Sequence, residues 1–260
     1  MGRLLLRLTP TRLVSRLAGR LAATPLPRPL RAPLLGLFSR LYGISCGEAE
    51  RPPAHYPSLA AYFTRRLRPG ARPLAGGEEV LVSPVDGRLV SAGPLAGADR
   101  LAVKGARFTA AELLGDPQRA RDFAGGVQLT LCLCPGDYHR VHAPAPGRVV
   151  AWRHLPGRIL PVNPPTLARW PRLFPGNERV ASYWADEERG RTFAMVLVGA
   201  LNVGSIRTLW DPGLTTNRGR APREERRGDP PRRFARGEEA ARFELGSTVV
   251  LLFPPHTLAL

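Results

Sequence analysis

The sequence has 260 residues, a length typical of one or two domains and sufficient for a buried core without disulfides or a structural metal. It carries 38 basic and 21 acidic residues, and this net charge of +17 indicates an anionic partner: nucleic acid, an acidic membrane surface or an acidic metabolite. The 28 prolines and 27 glycines argue against a helical bundle and favour short strands joined by turns.

Residues 1–45 have a pattern of their own. An apolar row and a basic row recur at helical spacing: Leu13, Leu17, Leu21 and Arg12, Arg16, Arg20. Four prolines predict a linker before a second apolar stretch, Leu34–Tyr42: Pro25, Pro27, Pro29 and Pro33. The first helix has three readings: an ordinary helix packed on the domain, an interfacial helix on anionic lipid, or an Arg-rich mitochondrial presequence. No run of 18 uninterrupted apolar residues is present, so no membrane-spanning helix is expected.

From about Pro57 the pattern is globular. Ser58–Leu67 predicts a short helix and Ala110–Leu114 a helical turn, whereas Arg218–Arg236 predicts an exposed loop. Apolar runs bounded by Gly, Pro or Asp predict strands: Val80–Val82, Arg88–Val90, Val127–Cys134, Gly147–Trp152, Phe193–Val198, Ser205–Thr208 and Val249–Phe253. We therefore expect an α+β, mostly β fold, with a short-stranded sandwich or barrel-like core behind an amphipathic N-terminal segment.

The cysteines indicate neither a disulfide framework nor a zinc site. Cys132 and Cys134 alternate within one apolar run, and Cys46 is distant from both. Because no second Cys or Cys/His cluster accompanies them, we expect no bound metal and a reduced, cytoplasm-facing protein.

Three polar segments follow or precede apolar runs, and each has an ordinary structural explanation. Asp86 suits a turn, His139 and His142 suit a strand end at the surface, and Gly246 with Ser247 suits a bulge. Together they supply a carboxylate, an imidazole and a hydroxyl, the groups of an Asp–His–Ser triad. Spacing alone leaves open whether these groups converge.

In these segments the sequence resembles the phosphatidylserine decarboxylases, a pyruvoyl-dependent family. The matching segments follow the family's order: SPVDG (83–87), DYHRVHAP (137–144), NERV (177–180), VGALNVGSI (198–206) and LGST (245–248). The resemblance implies a membrane-associating segment and linker, 1–55, and a catalytic domain, 56–260. It also implies a proenzyme that cuts itself into a β chain, 1–246, and an α chain, 247–260.

The resemblance also implies roles for individual residues. Ser247 would attack the carbonyl of Gly246, His142 would remove the serine proton, and Asp86 would hold the imidazole in the useful tautomer. The resulting pyruvoyl group, at the position of Ser247, would form a Schiff base with the amine of phosphatidylserine and release CO₂ and phosphatidylethanolamine. Because a histidine titrates near neutrality, we expect His139 to donate a proton or orient the substrate. Two neighbours are expected to support the histidines: Asp137 and Tyr138.

No external cofactor is implied, neither a metal nor pyridoxal phosphate. The single lysine of the chain, Lys104, lies in no context that indicates a pyridoxal phosphate site. The implied partners are phosphatidylserine, an anionic membrane surface, the second chain of the processed precursor and a second copy in a homodimer. The implied location is the cytoplasmic face of the inner cell membrane, or the mitochondrial inner membrane in a eukaryote.

Two other readings remain open from the residues alone. One is a serine hydrolase that uses Asp86, His142 and Ser247 in an intact chain. The other is a non-enzymatic basic protein that binds lipid or nucleic acid. Nucleic acid is not expected, because the arginines are spread along the chain and form no platform with interleaved aromatic residues.

Overall fold

The structure is a computed structural model of the chain. It describes residues 11–77, 79–95, 100–103, 106–162, 164–170, 172–201, 205–214, 216–217, 225–226, 232–244 and 247–258. Several residues of the sequence argument lie outside these ranges: Lys104, Gly246, the first ten residues, and much of the Arg- and Pro-rich segment 218–236.

Two helices form the N-terminal segment, α1 (Thr11–Ala23) and α2 (Arg28–Tyr42). The prediction of a linker that extends to Pro33 is wrong, because Pro29 and Pro33 both lie inside α2. Pro29 is in the first turn, where a missing backbone N–H costs no intrahelical hydrogen bond. Within the described part of the chain, no helix is long and apolar enough to cross a bilayer.

The segment shares a small core with the start of the predicted catalytic domain. Leu35 and Ile44 pack with Tyr56 and Tyr62, and the Tyr62 hydroxyl is 2.6 Å from the Ser39 hydroxyl inside this core. The backbone of α2 also lies against the loop that carries the histidines. Gly136 is so close to the Tyr42 carbonyl that a Cβ atom could not fit there. The N-terminal segment therefore packs directly against the domain.

In chain order, the described strands are β1 (Arg88–Pro94), β2 (Arg100–Val103), β3 (Ala106–Thr109), β4 (Val127–Leu133), β5 (Arg140–His142), β6 (Gly147–Leu155), β7 (Arg179–Asp186), β8 (Arg191–Gly199), β9 (Ile206–Thr208), β10 (Glu225–Arg226), β11 (Arg233–Phe234), β12 (Glu239–Phe243) and β13 (Ser247–Phe253). Short helices connect them: α3 (Leu59–Phe63), α4 (Ala110–Leu114), α5 (Pro117–Ala120), α6 (Pro164–Arg169) and α7 (Leu173–Gly176).

A large antiparallel sheet runs in the order β1-β4-β13-β8-β7-β6-β10, with β11 also paired to β6. A second sheet has the order β5-β12-β9, and β2 pairs with β3 in a hairpin. The predicted α+β fold, made mostly of strands, is confirmed. The predicted strand Val80–Val82 is wrong, since these residues form a turn and an extended segment beside the sheet.

Each face of the large sheet buries its own apolar core. In β13, Val249, Leu251 and Phe253 belong to one core, and Val250 and Leu252 belong to the other. This alternation is the period of two that a strand buried on both faces requires. The first core includes residues of the smaller sheet, and the second is covered by α4 and α7.

The strand register brings the polar segments to one end of the large sheet. Thr248 in β13 pairs with Cys132 in β4, which in turn pairs with Arg88 in β1. Ser247, the first residue of β13, pairs with Leu133 on one side and with Gly199 on the other. The loops before β1 and after β4 therefore lie at the same end as the start of β13.

Candidate active site

The SPVDG loop reaches this end immediately before β1. The backbone N–H of His142 donates to the Pro84 carbonyl at 2.8 Å, so the loop lies directly against the second histidine. Inside the loop, the Ser83 hydroxyl donates to the Val85 carbonyl at 2.7 Å. Pro84 and His142 are 58 residues apart in the chain, and this main-chain contact joins their two segments.

Asp86 is held by an arginine in this structure. Arg72 Nε lies 2.7 Å from Asp86 Oδ2, and the same guanidinium donates to Glu48 at 2.9 Å. Hydrogen bonds to these two carboxylates raise the pKa of Arg72 above its ordinary value. The Asp86 side chain keeps 30% of its surface exposed. Its role in orienting His142 stays a prediction, since the described hydrogen bonds of that imidazole go to other groups.

His142 is held in one tautomer by two neighbours. Its Nδ1 atom is 2.8 Å from the Gly237 carbonyl oxygen, and its Nε2 atom is 3.1 Å from the Tyr138 hydroxyl. A carbonyl can only accept, so Nδ1 carries the proton and the Nε2 lone pair accepts from Tyr138. Burial raises the pKa of Tyr138 to about 12, which keeps this hydroxyl a donor at neutral pH. This hydrogen-bond pattern therefore leaves Nε2 as the ring nitrogen that accepts.

Gly237 is a residue that the sequence argument missed. It has a φ of 77°, in the left-handed region that favours glycine, and its N–H donates to the Ala143 carbonyl at 2.8 Å. This conformation aims its carbonyl at the imidazole of His142. The sequence pattern could hardly indicate this contact, because a backbone carbonyl can accept a hydrogen bond whatever the residue type.

His139 is fully buried and lies against α3. Its ring centroid is 4.0 Å from that of Phe63, and its Nδ1 atom donates to the Asp137 carbonyl at 2.8 Å. Its Nε2 atom has no hydrogen-bond partner among the described residues. Burial lowers the pKa of His139 to about 4. The expectation that this ring titrates near neutrality is wrong for this state, in which Nε2 has a lone pair and no proton to donate.

Asp137 and Tyr138 shape the turn between β4 and β5. Asp137 Oδ2 accepts from the backbone N–H of Cys134 at 2.6 Å, and burial raises the pKa of this carboxyl. The backbone N–H of Phe243, at the end of β12, donates to the His139 carbonyl at 3.0 Å. The strand that leads toward residue 247 is thereby fastened to the histidine loop.

The NERV segment has a structural role that its sequence did not reveal. Asn177 is fully buried, and its side-chain amide donates to the carbonyls of Leu160 and Gly199, each at 2.9 Å. Gly199 is the residue opposite Ser247 in the sheet. Asn177 therefore fixes the end of β8 against which the start of β13 is aligned.

The predicted residues stand as follows. The structure brings the loops of Asp86, His139 and His142 to the sheet end at which Ser247 begins β13. Gly246, on the other side of the predicted cleavage bond, lies outside the described residues. Within the described ranges, no group of three or more His, Cys, Asp or Glu side chains could hold a metal ion.

Fold and site together define an α+β protein whose candidate catalytic groups, two histidines, a carboxylate and a serine, gather at one end of an antiparallel sheet. A comparison with protein families gives a match to the phosphatidylserine decarboxylase model over residues 59–259. The chain belongs to the phosphatidylserine decarboxylase family.

Individual relatives agree with this assignment. The phosphatidylserine decarboxylase proenzyme of Myxococcus xanthus is 39% identical over 251 residues, which cover 96% of this chain and 88% of the relative. The proenzyme of Anaeromyxobacter sp. is 40% identical over the same shares of the two chains. That of Marinobacter nauticus is 43% identical over 95% of this chain and 86% of the relative.

Proposed function

We propose that the chain is a self-processing, pyruvoyl-dependent decarboxylase that converts phosphatidylserine to phosphatidylethanolamine and CO₂. The observation that carries the proposal is the family match over residues 59–259, a range that contains Asp86, His139, His142 and Ser247. The shared sheet end described above supports it. Under this proposal, cleavage yields a β chain, 1–246, and an α chain, 247–260, that remain together.

Self-cleavage begins at Ser247. Its hydroxyl oxygen attacks the carbonyl carbon of Gly246, the C–N bond breaks, and an ester replaces the peptide bond. The hydroxyl proton passes through His142 Nε2 to the departing amine. Removal of the Cα proton of Ser247 then breaks its Cβ–O bond and frees the Gly246 carboxylate. One water is consumed and one ammonia released as the new N-terminus becomes a pyruvoyl group.

The geometry around His142 supports this assignment of the base. The Gly237 carbonyl keeps the proton on Nδ1, which leaves the Nε2 lone pair for the serine proton. Tyr138 occupies that lone pair in this structure, at 3.1 Å, and its hydroxyl must turn aside before the transfer. The same group of residues suits a covalent pyruvoyl, since Ser247 begins β13 at the end of the sheet where the loop of His142 lies.

Once formed, the pyruvoyl group would supply a carbonyl that condenses with the substrate amine, with loss of water, and that accepts the electron pair left when CO₂ departs. His139 contributes its buried Nε2 lone pair. That atom takes a proton from the substrate ammonium as the amine condenses and returns it to the carbon that CO₂ has left, while Nδ1 stays fixed on the Asp137 carbonyl. Burial against Phe63 excludes competing water from the ring.

The proposal is tested on the full chain. Denaturing electrophoresis with intact-mass measurement should show two polypeptides, of residues 1–246 and 247–260, the smaller without a free amino terminus. Incubation with phosphatidylserine labelled at the serine carboxyl should release one labelled CO₂ per lipid consumed. A single uncut chain that a fluorophosphonate labels at Ser247 would support the serine hydrolase reading instead.

The N-terminal helices support a peripheral attachment to anionic membranes. α1 exposes Leu17 and Leu21, and α2 exposes Leu37 and Leu41, in a segment that carries no acidic residue before Glu48. Apolar insertion and basic charge together give reversible binding, with about 1 kcal/mol for each arginine near an anionic surface. We place the protein on the cytoplasmic face of the cell membrane, or on the mitochondrial inner membrane in a eukaryote, as a homodimer of processed chains.

Substitution of both Leu17 and Leu21 by serine should weaken binding to phosphatidylserine-containing vesicles about 30-fold. The two side chains are 53% and 78% exposed, and removing about 1 kcal/mol of apolar insertion from each accounts for this factor. Vesicle sedimentation measures it. The matched control replaces Val80 and Leu89, 47% and 54% exposed on the main domain, and should bind as the wild type does. Equal binding by all three proteins would contradict attachment through α1.

A further inference from the structure

A cavity of about 290 Å³ lies between α1 and the main domain. The inner face of α1 and the end of α3 form one wall, and three polar residues of the main domain form the other. Its lining includes Arg16, Gly19, Thr64, Ser205, Asn217 and Glu244. The volume is at the low end of the range for small-molecule sites, roughly 300–1,000 Å³, so it suits a polar head group and not a whole lipid.

The cavity adjoins the predicted cleavage site. Glu244 is two residues before Gly246, and its backbone N–H donates to the Ser205 carbonyl at 2.9 Å. On its other side, α1 exposes Leu13 and Leu17 on the outer surface of the molecule. The cavity therefore lies between the face proposed to meet the bilayer and the strand that begins with Ser247.

Arg16, an exposed residue of α1, is held in place by a chain of polar contacts that runs into the large sheet. Its Nε donates to the Asn217 carbonyl at 2.7 Å, and the Asn217 N–H donates to Glu178 Oε1 at 2.9 Å. Glu178 is also bound by His154 Nε2 at 2.8 Å, inside the large sheet. One of the five N–H donors of the guanidinium is used in this way, and the planar group is oriented before any ligand arrives.

Asn217, which also lines the cavity, has an unusual backbone conformation and an unpaired side-chain atom. It adopts a φ of 60°, unusual for a residue other than glycine, and its Oδ1 is buried without a hydrogen-bond partner among the described residues. Glu244, the carboxylate of the lining, is paired with Arg207 at 3.3 Å. The wall thus presents one oriented cation and one neutralised carboxylate.

We propose that this cavity is the head-group subsite for the lipid substrate, in which Arg16 binds the phosphodiester. The inference rests on the proposed function. A guanidinium matches two phosphate oxygens in a planar fork, and binding through the phosphate leaves the amine of the head group free to reach the proposed pyruvoyl carbonyl at position 247. The acyl chains stay outside, toward the exposed leucines of α1.

The test uses monomeric short-chain phosphatidylserine and the processed full-length protein, so that membrane binding plays no part. Arg16→Gln should raise KM at least about tenfold and leave kcat and self-cleavage unchanged, because a charge-assisted pair to phosphate is lost from substrate binding only. Arg16→Lys, which keeps the charge without the fork, should give an intermediate KM. The matched control Arg20→Gln removes the same charge one turn further along α1 and should keep the wild-type KM.

Inhibition by two soluble anions tests whether the cavity prefers the phosphodiester of the substrate to an anion of any kind. Glycerophosphoserine should inhibit the wild type, and its inhibition constant should rise in Arg16→Gln in parallel with KM. Inorganic phosphate should inhibit at least tenfold more weakly. Equal KM values for Arg16→Gln and Arg20→Gln, or equal inhibition by the two anions, would overturn the assignment. Failure of the wild type to release CO₂ would instead refute the proposed function, before any variant is compared.

Discussion

Replacing Ser247 by alanine should leave the protein as one polypeptide of 260 residues and abolish decarboxylation. Alanine has no hydroxyl to attack the Gly246 carbonyl, so neither the ester nor the pyruvoyl group can form. Electrophoresis and intact mass measure the first effect, and release of labelled CO₂ measures the second. We expect decarboxylation below detection, because without the pyruvoyl group nothing accepts the electron pair that CO₂ leaves behind.

Thr257→Ala is the matched control for this change. It removes a hydroxyl from the same C-terminal segment, at a residue whose Oγ1 makes one long local contact, of 3.4 Å, to the Pro255 carbonyl. This variant should be cut and active like the wild type. If Ser247→Ala is still cut, or if it decarboxylates as one chain, the proposed origin of the catalytic carbonyl is wrong.

His139→Ala should be cut normally and then decarboxylate at least about 100-fold more slowly, the lower range for loss of a positioned acid–base group. Self-cleavage is expected to survive, because it depends on Nε2 of His142 and on the carbonyl of Gly237. Single-turnover measurements on fully processed protein separate kcat from any residual defect in cleavage. Wild-type activity in this variant would remove His139 from the reaction.

A second variant distinguishes chemistry from packing. His139→Asn can still donate a hydrogen bond to the Asp137 carbonyl, as Nδ1 does now, but it has no atom at the position of Nε2. We expect it to be as slow as His139→Ala. Recovery of activity by asparagine would show that the ring serves only to hold the turn before β5.

The stability of these proteins gives an independent readout of the buried ring. In the unfolded chain an imidazole takes up a proton near pH 6.5, whereas burial lowers the pKa of folded His139 to about 4. The unfolded state therefore binds more protons between these values, and stability is lost as the pH falls through that window. Urea unfolding in a Ser247→Ala background measures the free energy of unfolding with and without His139→Asn. We expect the difference between the two proteins to shrink as the pH is lowered from 6.5 to 4.

Some elements could be predicted from the sequence because their local signals agree with their environment. Val249–Phe253 has a continuous apolar run and lies in a strand that is buried on both faces. By contrast, β7 was not predicted. Its sequence mixes Arg179, Ser182 and Asp186 with apolar residues, and all three are buried. Arg179 and Ser182 are buried because other parts of the chain accept their hydrogen bonds. The Ser182 hydroxyl, for instance, donates to the Met195 carbonyl in the neighbouring strand.

The candidate site also has features that could be predicted from the sequence and features that could not. The residue types indicated the chemistry of four candidates: Asp86, His139, His142 and Ser247. The family resemblance then implied a role for each of them. What the sequence could not show is which group orients each one. His142 is bound by Gly237, 95 residues away, and Asp86 by Arg72. The low pKa of His139 depends on burial beneath Phe63, which only the packing of α3 on β5 produces.

The position of β13 between β4 and β8 has a consequence for what the protein becomes after cleavage. The α chain would have only 14 residues, and its strand would be hydrogen-bonded to a neighbour on both sides. The uncut precursor folds as one molecule at any dilution. The cut form is a complex, so its unfolding releases a short peptide into solution, and recovery requires a second-order encounter that weakens on dilution. If the proposed cleavage takes place, each polypeptide would fold unimolecularly only before cleavage, and its recovery after later unfolding would depend on protein concentration.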